Sequence, residues 1–298
     1  MSDLDPAFRC SRVDPVDPEP MAGTAPTDAA WLFVEHAGPW GRQAVAESKL
    51  PDAVREHLAG LDGVRVQLIR RHGGESGPGV RVFSATLGPT PVVRTAVLGD
   101  VTELLGPIAW EAHDEPLWFV CTNGRRDVCC AEVGRPVAAA LAARWPEETW
   151  ETTHLGGHRF SGTLLALPSG IALGRLDAET AVRAVTDLEA GRLPVAHARG
   201  RAGATGAAQV AELHLRTELD LTGSADVTVL AVGAGEVVLD ARGERYHVRV
   251  EESVGEPRRQ SCADLKTKPS TVYVVGAWVH DRHISTPIQE DAWHPKSP

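Results

Sequence analysis

Three of the chain's 5 cysteines fall in one short stretch, CTNGRRDVCC, at Cys121, Cys129 and Cys130. A second stretch, THLGGHRF, sets His154 and His158 downstream with two glycines between them. Thiolate sulfur and imidazole nitrogen both bind zinc and iron, so two thiols and two imidazoles could share one metal centre. The glycines let the loop turn until both rings point at one ion, and an ordinary amphipathic helix would not carry such a pair. Cys129 and Cys130 differ little in reach, so either can give the second sulfur. Neighbouring side chains at a strand-to-helix corner point apart, so one of the two is expected at the centre and not both. Cys10 and Cys262 lie in polar, arginine-flanked segments, FRCSR and RRQSC, and read as unpaired thiols.

The elements that must position these groups are legible around them. EPLWFVCTNG opens with a buried-looking strand that ends at the first cysteine. AEVGRPVAAALAARW is a strong helix, with Val133, Val137, Leu141 and Trp145 spaced four apart and Pro136 in its first turns, where proline costs little. TWETTH is strand-like, and TLLALPSGIALGRL is two apolar runs joined by a Pro-Ser-Gly turn. DAETAVRAVTDLEAG is a helix with Asp177 as its cap and Gly191 at its stop. Strand, helix, strand, hairpin, helix is the order of the thioredoxin-like fold. Its right-handed crossover brings the C-terminal ends of neighbouring parallel strands to one edge, so Cys121 and the two histidines are expected near one another. Cys130 is placed immediately before the long helix, where the dipole favours the thiolate that a metal binds.

WLFVEHAG at 31–38 sits beneath LWFVCTNG at 117–124, and each is followed by helix and strand patterns, which points to an internal duplication. The first copy continues through the helix LPDAVREHLAGL, the strands VRVQLIRR and VRVFSATL, and a short helix and turn in GDVTELLGPIAW. It carries Glu35 and Trp40 where the second carries Cys121 and the paired thiols, so only the second is expected to bind a metal. The chain thus divides into an irregular lead-in at 1–28, a unit without ligands at 29–115 and a ligand-bearing unit at 116–192. A glycine-rich connector at 193–205, a small α+β module at 206–280 and a tail at 281–298 complete it. The fold class is α/β (α+β), tandem thioredoxin-like units followed by the small module.

With 298 residues, 43% of them hydrophobic, the chain can bury its cores without disulfides. A formal charge of −10 argues against an electrostatic reader of nucleic acid. No apolar run approaches the roughly 20 residues of a membrane span, and the N-terminus MSDLDPAFRC has no basic start or apolar core. The cytoplasm is the expected compartment, and there clustered cysteines are metal ligands or redox groups more often than disulfides.

Several chemistries compete for the Cys/His group. Zinc suits the histidine spacing, but eight residues separate Cys121 from Cys130, whereas zinc knuckles use two to four. A thiol–disulfide oxidoreductase using Cys129 and Cys130 or Cys121 would want a C-x-x-C at the helix start, which is absent. A [2Fe–2S] cluster has irons far enough apart for widely spaced ligand pairs, and Cys₂His₂ ligation of one is established chemistry. The bland alternative is that the cysteines are small buried hydrophobes and the histidines surface groups.

C-x₈-C followed by H-x₃-H on this element order resembles the sucrase/ferredoxin-like proteins, a branch of the thioredoxin-like [2Fe–2S] ferredoxins. FVCTNGRRDVCCAEVG, HLGGHRFSGTLLALPSG and, more loosely, WLFVEHAGPWGR carry the likeness. The resemblance implies cluster ligands at Cys121, Cys130, His154 and His158, with Cys129 the alternative to Cys130. It implies an electron carrier serving redox partner proteins rather than a stand-alone enzyme. Nothing supports glycosidase chemistry, because no defensible carboxylate pair is present.

Two thiolates and two neutral imidazoles leave an oxidised [2Fe–2S] centre neutral, where four thiolates leave it a dianion. Its potential is therefore expected in the range of Rieske centres, about −150 to +300 mV, above the roughly −400 mV of plant-type ferredoxins. Each imidazole keeps a second nitrogen whose pKa should rise when the centre gains an electron. A potential that falls with rising pH is expected, and potentiometric titration showing it flat from neutral to alkaline pH counts against histidine ligation. Arg125, Arg126 and Arg159 flank the ligands and either offset charge, dock an acidic partner or pair with Asp127.

Overall fold

A computed structural model describes residues 7–12, 18–74 and 77–281. The first half of the chain forms β1 (Ala30–Glu35), α1 (Asp52–Ala59), β2 (Val64–Arg70), β3 (Val80–Thr86), β4 (Val92–Leu98) and the short β5 (Glu111–Ala112). The second forms β6 (Leu117–Cys121), α2 (Val128–Ala142), β7 (Thr149–Thr152), β8 (Leu164–Leu167), β9 (Ile171–Leu173), α3 (Ala178–Glu189) and β10 (Ala198–Arg201). Then come α4 (Gly206–Glu218), β11 (Val227–Val232), β12 (Glu236–Ala241), β13 (Glu244–Val254) and β14 (Thr271–Asp281). This is a mixed α/β protein, with the first ten strands in one sheet and the last four in another. No helix among the described residues is long and apolar enough to cross a membrane.

The order β10-β9-β8-β6-β7-β2-β1-β3-β4-β5 is palindromic about the β7–β2 junction. In each half a parallel pair, β1 with β2 or β6 with β7, is followed by an antiparallel hairpin beside its first strand. The two halves of the sheet therefore repeat one topology. Their strands pair where the C-terminal ends of β2 and β7 overlap, Ile69 opposite Thr152 and Arg70 opposite Glu151. So short a junction lets the sheet curl. In a flat sheet β1 and β6 would stand three strand spacings apart, about 14 Å. Instead Phe33 and Phe119, matched residues of the two repeats, stack with centroids 4.0 Å apart. Around them Trp31, Ile69, Phe83, Trp150 and Leu165 make one core shared by both halves.

Alternation along β6 then assigns its two faces. Trp118 and Val120 pack beneath α2 and α3, while Leu117, Phe119 and Cys121 point into the shared core. The final sheet buries Val237, Leu239, Val248 and Val250 against Ala208, Ala211 and Leu215 of α4.

The junction is locked by one carboxylate. Glu151 Oε2 accepts from Arg70 Nε at 2.9 Å and Thr122 Oγ1 at 2.8 Å, and Oε1 meets His72 Nδ1 at 2.9 Å. Burial opposes its ionisation, but Arg70, Thr122 and His72 together hold its pKa below the ordinary value. A depressed folded pKa means the ionised form stabilises the fold above about pH 4.5, and that this is lost as pH falls through the folded value. Glu151→Gln is expected to cost about 2 kcal/mol at neutral pH, less than the roughly 3–5 kcal/mol of a fully buried pair. Melting curves of the two proteins should converge as pH falls below about 4.5, the wild type falling more steeply.

Several elements differ from the sequence reading. β4 was not expected, although its burial alternates along the strand. Part of the stretch read as a connector, residues 198–201, forms edge strand β10 beside β9. The long helix begins at Val128, three residues early, so Pro136 is in its interior and not its first turns. The described part of the lead-in carries no helix or strand, yet Met21 and Ala25 are buried. The expected tail lies outside the described residues beyond residue 281.

Candidate metal centre

Cys121 is the last residue of β6, and Asp127, with residues 122–126 between them, caps α2 by accepting from Cys129 N at 3.0 Å. Cys129 and Cys130 are therefore both inside the first helical turn, which corrects the placement of Cys130 ahead of the helix. Successive helical residues point about 100° apart, so the two thiols face different neighbours. Cys130 turns toward Cys121 and His154, and Cys129 turns away. Asp127 is occupied by the cap and by Ser261 and Cys262, not by the arginines beside it.

Cys121 Sγ and Cys130 Sγ lie 3.8 Å and 3.7 Å from His154 Nδ1. These three groups offer ligand atoms all within 4.8 Å of one another. His158 stands outside that trio but next to it, its Nδ1 3.2 Å from His154 Nε2. Its Nε2 is buried, 3.8 Å from Asp127 Oδ2, and has no hydrogen-bond partner. The four sequence-predicted ligands are thus contiguous, as a thiol pair, then His154, then His158.

Gly156 and Gly157 turn the histidine loop with φ of +88° and +66°, values that residues with a Cβ rarely adopt. A side chain on Gly157 would also strike Arg199. Arg199, on β10 and only 2% exposed, donates to Gly156 O and Thr24 Oγ1, each at 3.1 Å, and to Thr24 O. Arg65 holds the same loop by donating to His154 O at 3.2 Å. Sequence reading missed both, because nothing in AHARGR or VRVQLIRR separates a buried arginine from a solvated one. The loop therefore rests on β2 of the first repeat and β10 of the second.

Hydrogen bonds from Cys130 and His154 hold the Cys121 thiol well below its usual range against the cost of burial. Cys130 is correspondingly pushed up, first by that hydrogen bond and then by burial, so the pair shares a proton. Burial, with the neighbouring His154, lowers His158 and keeps it a neutral ligand-type imidazole. Burial, with Arg159 and Arg65, pulls Arg199 down to about 9, and the charge that favours its protonated form is that of Cys121. Among the described residues no carboxylate pairs with this buried cation.

Cys10 and Cys262 are unpaired thiols, as their segments suggested, but they do not stand alone. No disulfide joins them, but both converge on Cys129 in a second group with Asp127. The C-terminal module supplies Cys262 to it.

Searches against curated proteins and solved structures return no match. The model of one family, described as Sucrase/ferredoxin-like, matches residues 21–200, from the described lead-in through the first three residues of β10. The match covers both repeats and every residue of the Cys121, Cys130, His154 and His158 group. On that match, the chain belongs to the sucrase/ferredoxin-like family.

Proposed function

We propose that the chain carries single electrons on a [2Fe–2S] cluster held by Cys121, Cys130, His154 and His158. The observation that supports this most is the donor set itself, two thiols and two imidazoles contiguous in one buried place within a family whose name includes ferredoxin. The residues fit such a group. Two imidazoles on one tetrahedral iron stand about 3.4 Å apart at their bound nitrogens, taking metal–nitrogen bonds of about 2.1 Å, and the facing ring nitrogens here are 3.2 Å apart. When bound, the cluster supplies reversible one-electron chemistry.

The protein's own groups set the terms. Cys121 and Cys130 are each 1% exposed, while the His158 side chain is 14% exposed, so electrons and protons enter from the histidine side. Arg199 lies behind the loop as a buried positive charge that favours the more anionic, reduced form. Arg12, Arg159, Arg175, Arg258 and Arg259, with Glu19 paired to Arg159, line a cavity of about 310 Å³, a surface of net positive charge suited to a redox partner that presents acidic groups. The free thiols fit a reducing compartment such as the cytoplasm.

His154→Cys tests the ligand assignment. A third thiolate adds negative charge, so the midpoint potential is expected to drop by more than about 100 mV toward the range of all-thiolate ferredoxins. An unchanged potential in a variant that keeps its iron contradicts the role given to His154. A single zinc would also span Cys121, Cys130 and His154, and metal analysis separates the two readings.

A further inference from the structure

Three cysteines far apart in sequence meet outside the centre just described. Cys129 Sγ is 3.2 Å from Cys262 Sγ and 3.7 Å from Cys10 Sγ, and Cys10 and Cys262 are 3.5 Å apart. Asp127 Oδ1 is 3.5 Å from Cys10 Sγ, and the four ligand atoms lie within 4.8 Å of one another. We propose that Cys10, Cys129, Cys262 and Asp127 form a second, mononuclear site for a thiolate-seeking divalent ion, zinc above all.

Geometry argues for one ion rather than a disulfide. A tetrahedral zinc with bonds of about 2.3 Å to sulfur and about 2.1 Å to oxygen sets S···S near 3.8 Å and S···O near 3.6 Å. The two longer S···S distances and the Cys10–Asp127 distance come within a few tenths of an ångström of this, and the Cys129–Cys262 pair is closer. A disulfide uses two sulfurs and gives no reason for a third thiol and a carboxylate at contact distance. Soft thiolates select zinc over the hard cations that carboxylate and carbonyl sites take.

The surroundings have the form of a built site. Asp127 is fixed by donors on both oxygens, Cys129 N at 3.0 Å, and Ser261 Oγ and Cys262 N at 2.8 Å each. Such outer hydrogen bonds orient a ligating carboxylate. Cys10 N donates to Cys262 Sγ at 3.3 Å, a bond that stabilises thiolate. Arg12, Arg258 and Arg259 line the cavity beside Cys10, where they offset the negative charge of three thiolates and a carboxylate on one dication. Cys262 lies on the long connection between β13 and β14, whose residues 255–270 form no helix or strand. A connection of that length in a compact fold calls for something that fixes it. An ion here ties the lead-in, the first turn of α2 and the C-terminal module together, one residue away from Cys130.

The test is zinc and iron counted on the same reductively purified full chain, in wild type, Cys262→Ser and Cys10→Ser. Zinc is expected to fall from about one per chain to below about a tenth in both variants, with iron and visible spectrum retained. Cys10 and Cys262 lie on separate segments, both outside any helix or strand, so the same loss in both variants is not the misfolding of one segment. Zinc that survives in both variants but is lost in Cys121→Ser would place the ion in the first centre and overturn the proposal. So would a wild type that neither contains zinc nor takes it up from zinc chloride under reducing conditions. Alkylation and mass mapping that finds a Cys129–Cys262 disulfide in reductively purified protein overturns it as well. Failure of the iron–sulfur reading leaves these outcomes unaltered, since they are read on zinc and on different residues.

Discussion

Cys130→Ser is expected to strip the purified chain of iron, whereas Cys129→Ser keeps it. The two residues are neighbours in sequence and equally buried, so composition and burial cannot tell them apart. What separates them is helical geometry, which sends Cys130 to His154 at 3.7 Å and Cys129 to Cys262 at 3.2 Å. Loss of a direct thiolate should exceed the roughly 10–100-fold that loss of an outer hydrogen bond costs, so iron content falls at least about tenfold. Cys129→Ser should lose zinc and retain the visible bands. Iron retained in Cys130→Ser and lost in Cys129→Ser would reverse the assignment of the two sites.

Gly134→Ala is expected to destabilise the chain and lower its iron content together. Taken by itself, alanine in a helix interior is favoured over glycine by about 1 kcal/mol. Here a Cβ would collide with the carbonyl oxygen of Cys121 and approach its carbonyl carbon to 3.1 Å, and backbone cannot swing aside as a side chain can. Overpacking costs about 1–3 kcal/mol and more when backbone must move, so a net loss of about 2 kcal/mol is expected. The displacement acts on the metal centre because α2 carries Cys130 and the struck carbonyl belongs to Cys121. Arg135→Ala, on the exposed side of the same helix, should change stability by less than about 0.5 kcal/mol. Denaturant melts with iron assays on both variants check this, and a Gly134→Ala protein as stable as wild type contradicts it.

Much of this was legible in the residues. The apolar runs at 31–34 and 117–120 announced two equivalent central strands, and their shared burial on both faces explains why they read as continuous rather than alternating. The Gly-Gly between His154 and His158 marked a loop, and the left-handed torsions at both positions explain it. Asp177 and Gly191 marked the ends of α3 because capping chemistry is local. The start of α2 was misread because Cys129 and Cys130 carry no helix signal, whereas Asp127, the true cap, was weighed as an ion-pair partner. Gly134 in an alanine-rich helix was a sign of close approach that spacing alone could not aim at β6. Arg199, Cys10 and Cys262 depend on contacts between segments far apart in the chain, and local pattern holds no trace of those. For the same reason the second thiol group could not be seen before the C-terminal module was folded onto α2.

The central claim is that Cys121, Cys130, His154 and His158 hold a [2Fe–2S] cluster. Its most direct test is the visible absorption spectrum of the anaerobically purified full chain, with iron, acid-labile sulfide and zinc assayed on the same sample. A red-brown protein with about two irons and two sulfides per chain is the predicted result. A colourless protein with zinc in place of iron, and none of the bands after anaerobic reconstitution with iron and sulfide, would contradict it.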